Sequence, residues 1–276
     1  ECRRVLFRSL FSLSNLLFKV KFLLLEGELL LLPAPNGALA GAVLGLGVGR
    51  DPLALALFSE RLPPGDYVLG DVPEGYGGAR AALAWALGAY EFNRYRKSST
   101  RDRARLVLPE GVNGVAVSRA AKAVFLARDM VNTPANDMGP AEIENAARSV
   151  ATAYGARISV ITGQDLLKQN YPLIHAVGQA SPREPRLIDI VWGDPAAPKV
   201  TLVGKGVCFD TGGLDLKPSS AMLTMKKDMG GAACMLALGQ AVMDAKLKMR
   251  LRVMLPAVEN SVSGASFRPG DVYPSR

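Results

Sequence analysis

The stretch KVTLVGKGVCFDTGG, residues 199–213, decides the fold. Residues 199–203 carry apolar and β-branched side chains and read as a short strand. The chain then passes directly into glycine: Gly204, Gly206, Gly212 and Gly213 surround Lys205 and Asp210. Glycine lets a backbone approach a bound group and adopt positive φ where a side chain would clash. In open α/β sheets, loops at the carboxyl ends of strands are where ligands bind. The spacing is not that of a phosphate-binding P-loop, because Lys205 lacks the preceding glycine spacing and a following Ser or Thr.

Outward from this stretch, LDLKP (214–218) adds Lys217, and KKDMGGAA (226–233) adds Asp228 immediately before a helix expected over 230–245. Strands are expected at 157–161, 187–192 and 249–255, and a short helix at 165–170. Short β-rich runs alternating with helices indicate an α/β layer with a mostly parallel or mixed central sheet. A helix opening at Pro140, with Glu142 and Glu144 in its first turn, runs to about Tyr154.

The preceding half is a smaller α/β domain. Strands are expected at 29–32 and 67–70, and an Ala/Leu-rich helix at 79–94 ends in the basic cluster Arg94, Tyr95, Arg96 and Lys97, read as a solvated helix end. Residues 41–49 give G-x-G-x-G rather than a dinucleotide fingerprint, and read as a flexible loop; a nucleotide-like ligand there is the weaker alternative. The composition shift near 110–130 divides the chain into a doubtful leader at 1–22, an N-terminal domain at 23–112, a connecting helix at 113–135 and a second domain at 136–276.

A length of 276 residues suits two domains, and 49% apolar against 21% charged residues exclude a disordered or collagenous chain. The net charge of +8 nominally suggests a polyanionic partner, but residues 1–22 carry a net +4, half of the excess. That opening segment has no initiator Met, and ECRRVLFRS is similar to translated adapter sequence, so a foreign leader is expected; a native strand and a secretory signal are the alternatives. No apolar run reaches the roughly 18–20 residues of a membrane span. Cys2, Cys208 and Cys234 lack paired spacing, which argues against a disulfide framework and fits a reducing cytosol.

Each candidate residue has a plain structural alternative. Asp228 could be only a helix N-cap, Asp210 a turn former, and Lys205 or Lys217 a surface ammonium. Cys208 and Cys234 read as small core residues, and His175 as a core or loop residue. A single histidine disfavours a His-based triad and a histidine-rich zinc site.

Taken together, GKGVCFDTGG, LDLKP and KKDMGGAA resemble the leucyl aminopeptidase family of two-metal cytosolic exopeptidases. VNTPAN (131–136), IHAVG (174–178), PRLI (185–188), PAVEN (256–260) and FRPGD (267–271) agree with it too. The resemblance implies that Lys205, Asp210 and Asp228 ligate two divalent ions, Mn²⁺ or Zn²⁺, with Asp210 shared between them. Lys217 would be the catalytic lysine beside the scissile carbonyl, and Met225 would lie near the pocket for the substrate's first side chain. A ligating lysine must be the neutral amine, whereas Lys217 is useful only when protonated.

Cys208 and Asp215 depart from the family's commoner Thr-like residue and Ser. Beyond Arg276 the family has an Asn-Thr-Asp-Ala-Glu-Gly-Arg segment with two further carboxylates and an arginine, so an inactive fragment of the catalytic domain is expected. The resemblance further implies peptide substrates, a homo-hexameric parent and a cytoplasmic setting. A DNA-binding or regulatory role, known among relatives of the family, is the alternative, and the front-loaded charge does not favour it.

Overall fold

The computed structural model describes residues 3–8, 25–47, 51–70, 72–73, 75–96, 102–263 and 266–274. It divides into two compact units, Glu1–Ala121 and Lys122–Arg276.

In the first unit the elements are β1 (Arg3–Arg8), β2 (Leu29–Pro33), β3 (Leu39–Gly45), α1 (Ala56–Arg61), β4 (Gly65–Leu69), α2 (Gly78–Gly88) and β5 (Ala104–Leu106). The sheet order is β2-β3-β1-β4-β5, antiparallel between β2 and β3 and parallel elsewhere. Its core joins Ala42 and Leu44 to Phe58, Tyr67 and Trp85. Trp85 lies with its ring centroid 5.9 Å from that of Phe58 and donates its indole N–H to the Ala104 carbonyl at 3.3 Å.

Three expectations change here. Residues 39–45 form a strand rather than a flexible loop, because Ala42, Val43 and Leu44 are buried and their burial outweighs the flanking glycines. The glycine run therefore makes no phosphate-binding turn where it is described; 48–50 lie outside the described residues. Helix α2 stops at Gly88, six residues before the expected end, and Arg103 donates to the Ala89 carbonyl at 2.8 Å just past it. Arg94 instead lies over the Tyr95 ring at 5.9 Å in an exposed turn, and Lys97 falls outside the described residues. Of the 1–22 leader, only Arg3–Arg8 is described, as a strand between β3 and β4.

A helix, α3 (Gly114–Asn132), spans the division between the units. The second unit continues with α4 (Pro140–Tyr154), β6 (Arg157–Thr162), α5 (Asp165–Lys168), α6 (Pro172–Gly178), β7 (Arg186–Trp192), β8 (Lys199–Val203), β9 (Gly206–Asp210) and α7 (Ser219–Met222). A 3₁₀ turn (Met225–Met229), α8 (Gly230–Asp244) and β10 (Arg250–Asn260) complete it. The eleven-residue β10 is the spine. It pairs antiparallel with β7 on one side; on the other it pairs parallel with β8 along Arg250–Met254 and with β9 along Ala257–Asn260. Since β6 and β7 are also antiparallel, the sheet is mixed rather than largely parallel. Helices α4 and α8 pack on each other and on the sheet, burying Ile143, Ala147, Leu236, Val253 and Leu255 completely. Each large apolar side chain so buried contributes about 1.5–3 kcal/mol.

The sequence signals of α4 behave as read: Gly139 N–H donates to the Glu142 carboxylate at 2.9 Å, and Gly155 closes the helix at φ 64°. Glu144 accepts Arg186 at 2.6 Å and Arg148 at 2.7 Å. Burial pushes its carboxyl up, but these two guanidiniums hold it below the ordinary glutamate range. A depressed carboxyl stabilises the fold above its unfolded pKa and loses that contribution as pH falls through its folded value. Glu144→Gln is therefore expected to lower stability at pH 7 and to flatten the acid limb of a stability-versus-pH curve. Parallel acid limbs in the two proteins would contradict this.

Three further readings are corrected. His175 sits half-buried on α6, with Nε2 3.2 Å from Gln164 Nε2, rather than in the core or a loop. Cys208 is buried as expected, but Cys234 is exposed on α8. Residues 206–210, read as loop, form a strand because Cys208 and Phe209 are drawn into the interior. Among the described residues, no helix is long and apolar enough to cross a membrane.

Candidate metal centre

Strands β8 and β9 run parallel to β10 on the same side of it, one after the other, β8 ending opposite Met254 and β9 opposite Asn260. Lys205 follows the end of β8, Asp210 is the last residue of β9, and Asn260 the last of β10. Between β8 and β9 the chain turns at Gly204, whose N–H donates to the Met254 carbonyl at 3.0 Å. The start of α8 presses against this turn, with Ala232 N–H donating to the Lys205 carbonyl at 2.8 Å. A Cβ on Gly204 would lie 2.5 Å from the Gly231 carbonyl oxygen, and one on Gly231 would lie 3.0 Å from Lys205 N. Glycine on both sides lets the lysine-bearing turn and the Asp228-bearing turn meet. Gly204→Ala is expected to cost about 1–3 kcal/mol by overpacking, read as a lowered thermal midpoint; an unchanged midpoint would show that the contact is soft.

Two ion pairs occupy the site. Lys205 Nζ lies 2.9 Å from Asp228 Oδ2, and Lys217 Nζ lies 2.8 Å from Asp210 Oδ2. Asp210 Oδ1 accepts Gly212 N–H at 3.0 Å and Asn260 Nδ2 at 2.7 Å. Burial pushes the Asp210 carboxyl up, but Lys217, Gly212 N–H and Asn260 together hold it below the usual aspartate range. In return, the hydrogen bond to Asp210 holds the Lys217 ammonium above the ordinary lysine value. Lys217 is placed by its own backbone, whose N–H donates to the Thr211 carbonyl at 2.9 Å after a tight turn at Gly212 (φ 91°) and Gly213 (φ 70°).

Asp228 is not a helix cap. It lies in the 3₁₀ turn, and the residue before α8 is Met229, which makes no side-chain cap. Met225 opens the same turn, half-buried. Lys226 fastens that turn by donating Nζ to the Asn132 carbonyl at 2.5 Å, and burial pushes its ammonium down.

These residues fit part of a divalent-metal site. Asp228 Oδ2 is buried and no aligned hydrogen bond reaches it, although the Lys205 amine is close, which leaves a lone pair free for a cation. One amine and two carboxylates are hard nitrogen and oxygen donors of the kind that Zn²⁺ and Mn²⁺ accept. They are three, fewer than the roughly four to six ligands these ions take. Among the described residues no group of three or more His, Cys, Asp or Glu could hold a metal. An open cleft of about 640 Å³ beside Tyr154, Trp192 and Met249 lies at the opposite end of the sheet and contains none of these groups.

Sequence reasoning assigned no role to Asn260 or to the buried cluster behind it. Glu259 is 2% exposed and accepts Arg268 Nε at 2.5 Å and Ser181 Oγ at 3.0 Å. Arg268 donates also to Asp271 at 3.0 Å, and Asp271 accepts Asn136 N–H at 3.2 Å. The strings VNTPAN, PAVEN and FRPGD thus converge on one ionic network. The signal in PAVEN and FRPGD was charged residues inside otherwise apolar or turn-forming runs; VNTPAN carries none.

The catalytic-domain model of the cytosol aminopeptidase family matches residues 125–276, and the N-terminal-domain model of M17 aminopeptidases matches 19–109. Strand β1 lies outside both matches. A probable cytosol aminopeptidase of Roseiflexus castenholzii is 38% identical over 200 residues, covering 67% of this chain and 41% of that protein. The crystal structure of the cytosol aminopeptidase from Coxiella burnetii superposes with a TM-score of 0.83 at 41% identity, covering 98% of this chain and 62% of that one. The bottromycin maturation enzyme BotP, solved in complex with Mn, superposes at 0.77 and 30% identity, covering 93% of this chain and 59% of that one. The chain spans less than two thirds of each of these three proteins. With both of its units matched in this way, the chain belongs to the cytosol aminopeptidase family.

Proposed function

We propose that this chain carries the N-terminal domain and the first part of the catalytic domain of a metal-dependent aminopeptidase that releases N-terminal residues such as Leu from peptides. The observation that carries the reading is the pair of lysine–aspartate contacts made by Lys205, just after β8, and Asp210, at the end of β9. The domain reading of 23–112, 113–135 and 136–276 is supported by the division of the fold at 121/122 and by the two family matches.

In this reading Lys205, Asp210 and Asp228 contribute ligands to two divalent ions, and the Mn of the related BotP structure supports manganese, with zinc the other candidate. Such ions would supply an acidified water and a polarised carbonyl. Lys217 does different work. Its ammonium, kept charged by the Asp210 carboxylate, is suited to stabilise an oxyanion electrostatically. Lys205 must lose its proton to ligate, which an adjacent dication favours. Met225, on the same turn as Asp228, offers an apolar half-buried side chain to the first residue of a peptide. A homo-hexameric, cytoplasmic parent belongs to the same proposal, supported by the cytosol aminopeptidase relatives.

Three ligands do not complete two ions, so the 276-residue chain is expected to give no turnover of a leucine anilide with Mn²⁺ or Zn²⁺. A longer protein containing it is expected to hydrolyse the same substrate and to stop when the metal is chelated. Chelator-insensitive turnover would sink the metal reading, and robust activity of the 276-residue chain would sink the ligand count.

A further inference from the structure

We propose that Asn260 is a positioning residue for Asp210: its side-chain amide fixes the carboxylate so that Oδ1 faces the protein and Oδ2 faces the lysine side of the site. The inference rests on reading Asp210 as a metal ligand.

The argument begins in the strand register. Ala257 stands opposite Gly206 and Val258 opposite Val207, yet Asn260 stands opposite Asp210. Two residues of β9, Cys208 and Phe209, are therefore set against Glu259 alone. A bulge of this kind re-aims the side chains that follow it. Both strands are pinned where it occurs. Cys208 and Phe209 are each 1% exposed in the interior, and the Glu259 carboxylate is locked by Arg268 and Ser181.

The strands emerge from the bulge with Asn260 Nδ2 at 2.7 Å from Asp210 Oδ1. Gly212 N–H reaches the same oxygen at 3.0 Å, so two donors occupy the two lone pairs of Oδ1. Oδ2 is left to Lys217 Nζ. The Asn260 backbone from which the amide springs is itself held, because its main-chain carbonyl accepts both Thr211 N–H at 3.0 Å and the Thr211 hydroxyl at 2.9 Å. An amide also donates without adding a charge, so it orients the carboxylate without competing as a third cation. Groups that orient a ligand in this way are worth about 10–100-fold in metal affinity.

The test uses the 276-residue chain with Asn260→Ala and the isosteric Asn260→Asp. Without metal, amide hydrogen exchange at Gly212 is expected to rise by about tenfold or more in both variants, while the amides of Val253 and Leu255 in β10 keep their protection. Mn²⁺ affinity of the longer protein, read from the electron paramagnetic resonance of the free ion, is expected to fall about 10–100-fold when it carries Asn260→Ala. Exchange at Gly212 that stays at the unsubstituted rate in both variants overturns the proposal. So does equal acceleration at Gly212, Val253 and Leu255 in both variants, since that would be general loosening of the strand. Failure of the longer, unsubstituted protein to bind Mn²⁺ would overturn the ligand reading of Asp210, and the Gly212 exchange would still decide whether Asn260 positions it.

Discussion

Glu259→Gln is expected to cost about 3–5 kcal/mol of folding stability, the range for removing one partner from a buried ionic network. The Glu259 side chain is 2% exposed and that of Arg268 is 7% exposed. With the carboxylate gone, Arg268 keeps only Asp271, at 3.0 Å, and its buried Nε–H faces a neutral amide. Ser181 Oγ loses a charged acceptor as well. The contrast within the same chain is the Arg105–Asp66 pair, whose side chains are 75% and 46% exposed. Breaking it should change stability by no more than about 1 kcal/mol. The chain has two tryptophans, Trp85 and Trp192, one in each unit. In a Trp85→Phe background, urea unfolding followed by Trp192 fluorescence isolates the second unit, and a Glu259→Gln loss below about 1 kcal/mol there would mean that the network relaxes or hydrates.

Lys217→Met in the longer, metal-loaded protein is expected to lower kcat about 10²–10³-fold with little change in KM, as for other single donors to a developing oxyanion. Two features make the lysine suited to that work. It is held charged by Asp210, and it stands on a turn fixed by Gly212 and Gly213. The substitution also removes the cation on Asp210 Oδ2, so metal affinity measured alongside should hold or rise. A fall in kcat accompanied by an equal loss of metal would assign Lys217 to holding the site together instead. Lys217→Arg should not restore the rate, because a planar guanidinium on a longer stem does not place a point charge where an ammonium stood.

The second unit was largely legible because its signals are local. Pro140 opens α4, Glu142 caps it and Gly155 ends it. Strand β8 reads directly from residues 199–203. The four charged candidate residues stood out because glycines lie around them in the sequence. What the sequence hid depended on distant partners. Residues 206–210 read as a loop since Gly206 opens them, yet pairing with β10 and burial of Phe209 make them a strand. The glycines at 41 and 45 misled in the same way, their strand being stabilised by neighbours on both sides. Asp228 was read as a possible cap because it precedes a helix, but a 3₁₀ turn intervenes, held by Lys226 reaching Asn132 ninety-four positions away. Asn260 carried no signal at all, since an amide at a strand end is ordinary until its register against Asp210 is known.

The close approach of Gly204 and Gly231 has a consequence for how relatives of this chain are recognised. Both positions exclude a Cβ for reasons of backbone contact, whether or not any ion or substrate is ever bound. A descendant that lost Lys205, Asp210 or Asp228 would still be stabilised by both glycines. The short strings around them therefore diagnose ancestry more strongly than competence, and a search built on their glycines would gather retired hydrolases together with working ones. On the proposed reading, Lys205, Asp210, Lys217 and Asp228 rather than the glycines bear on competence.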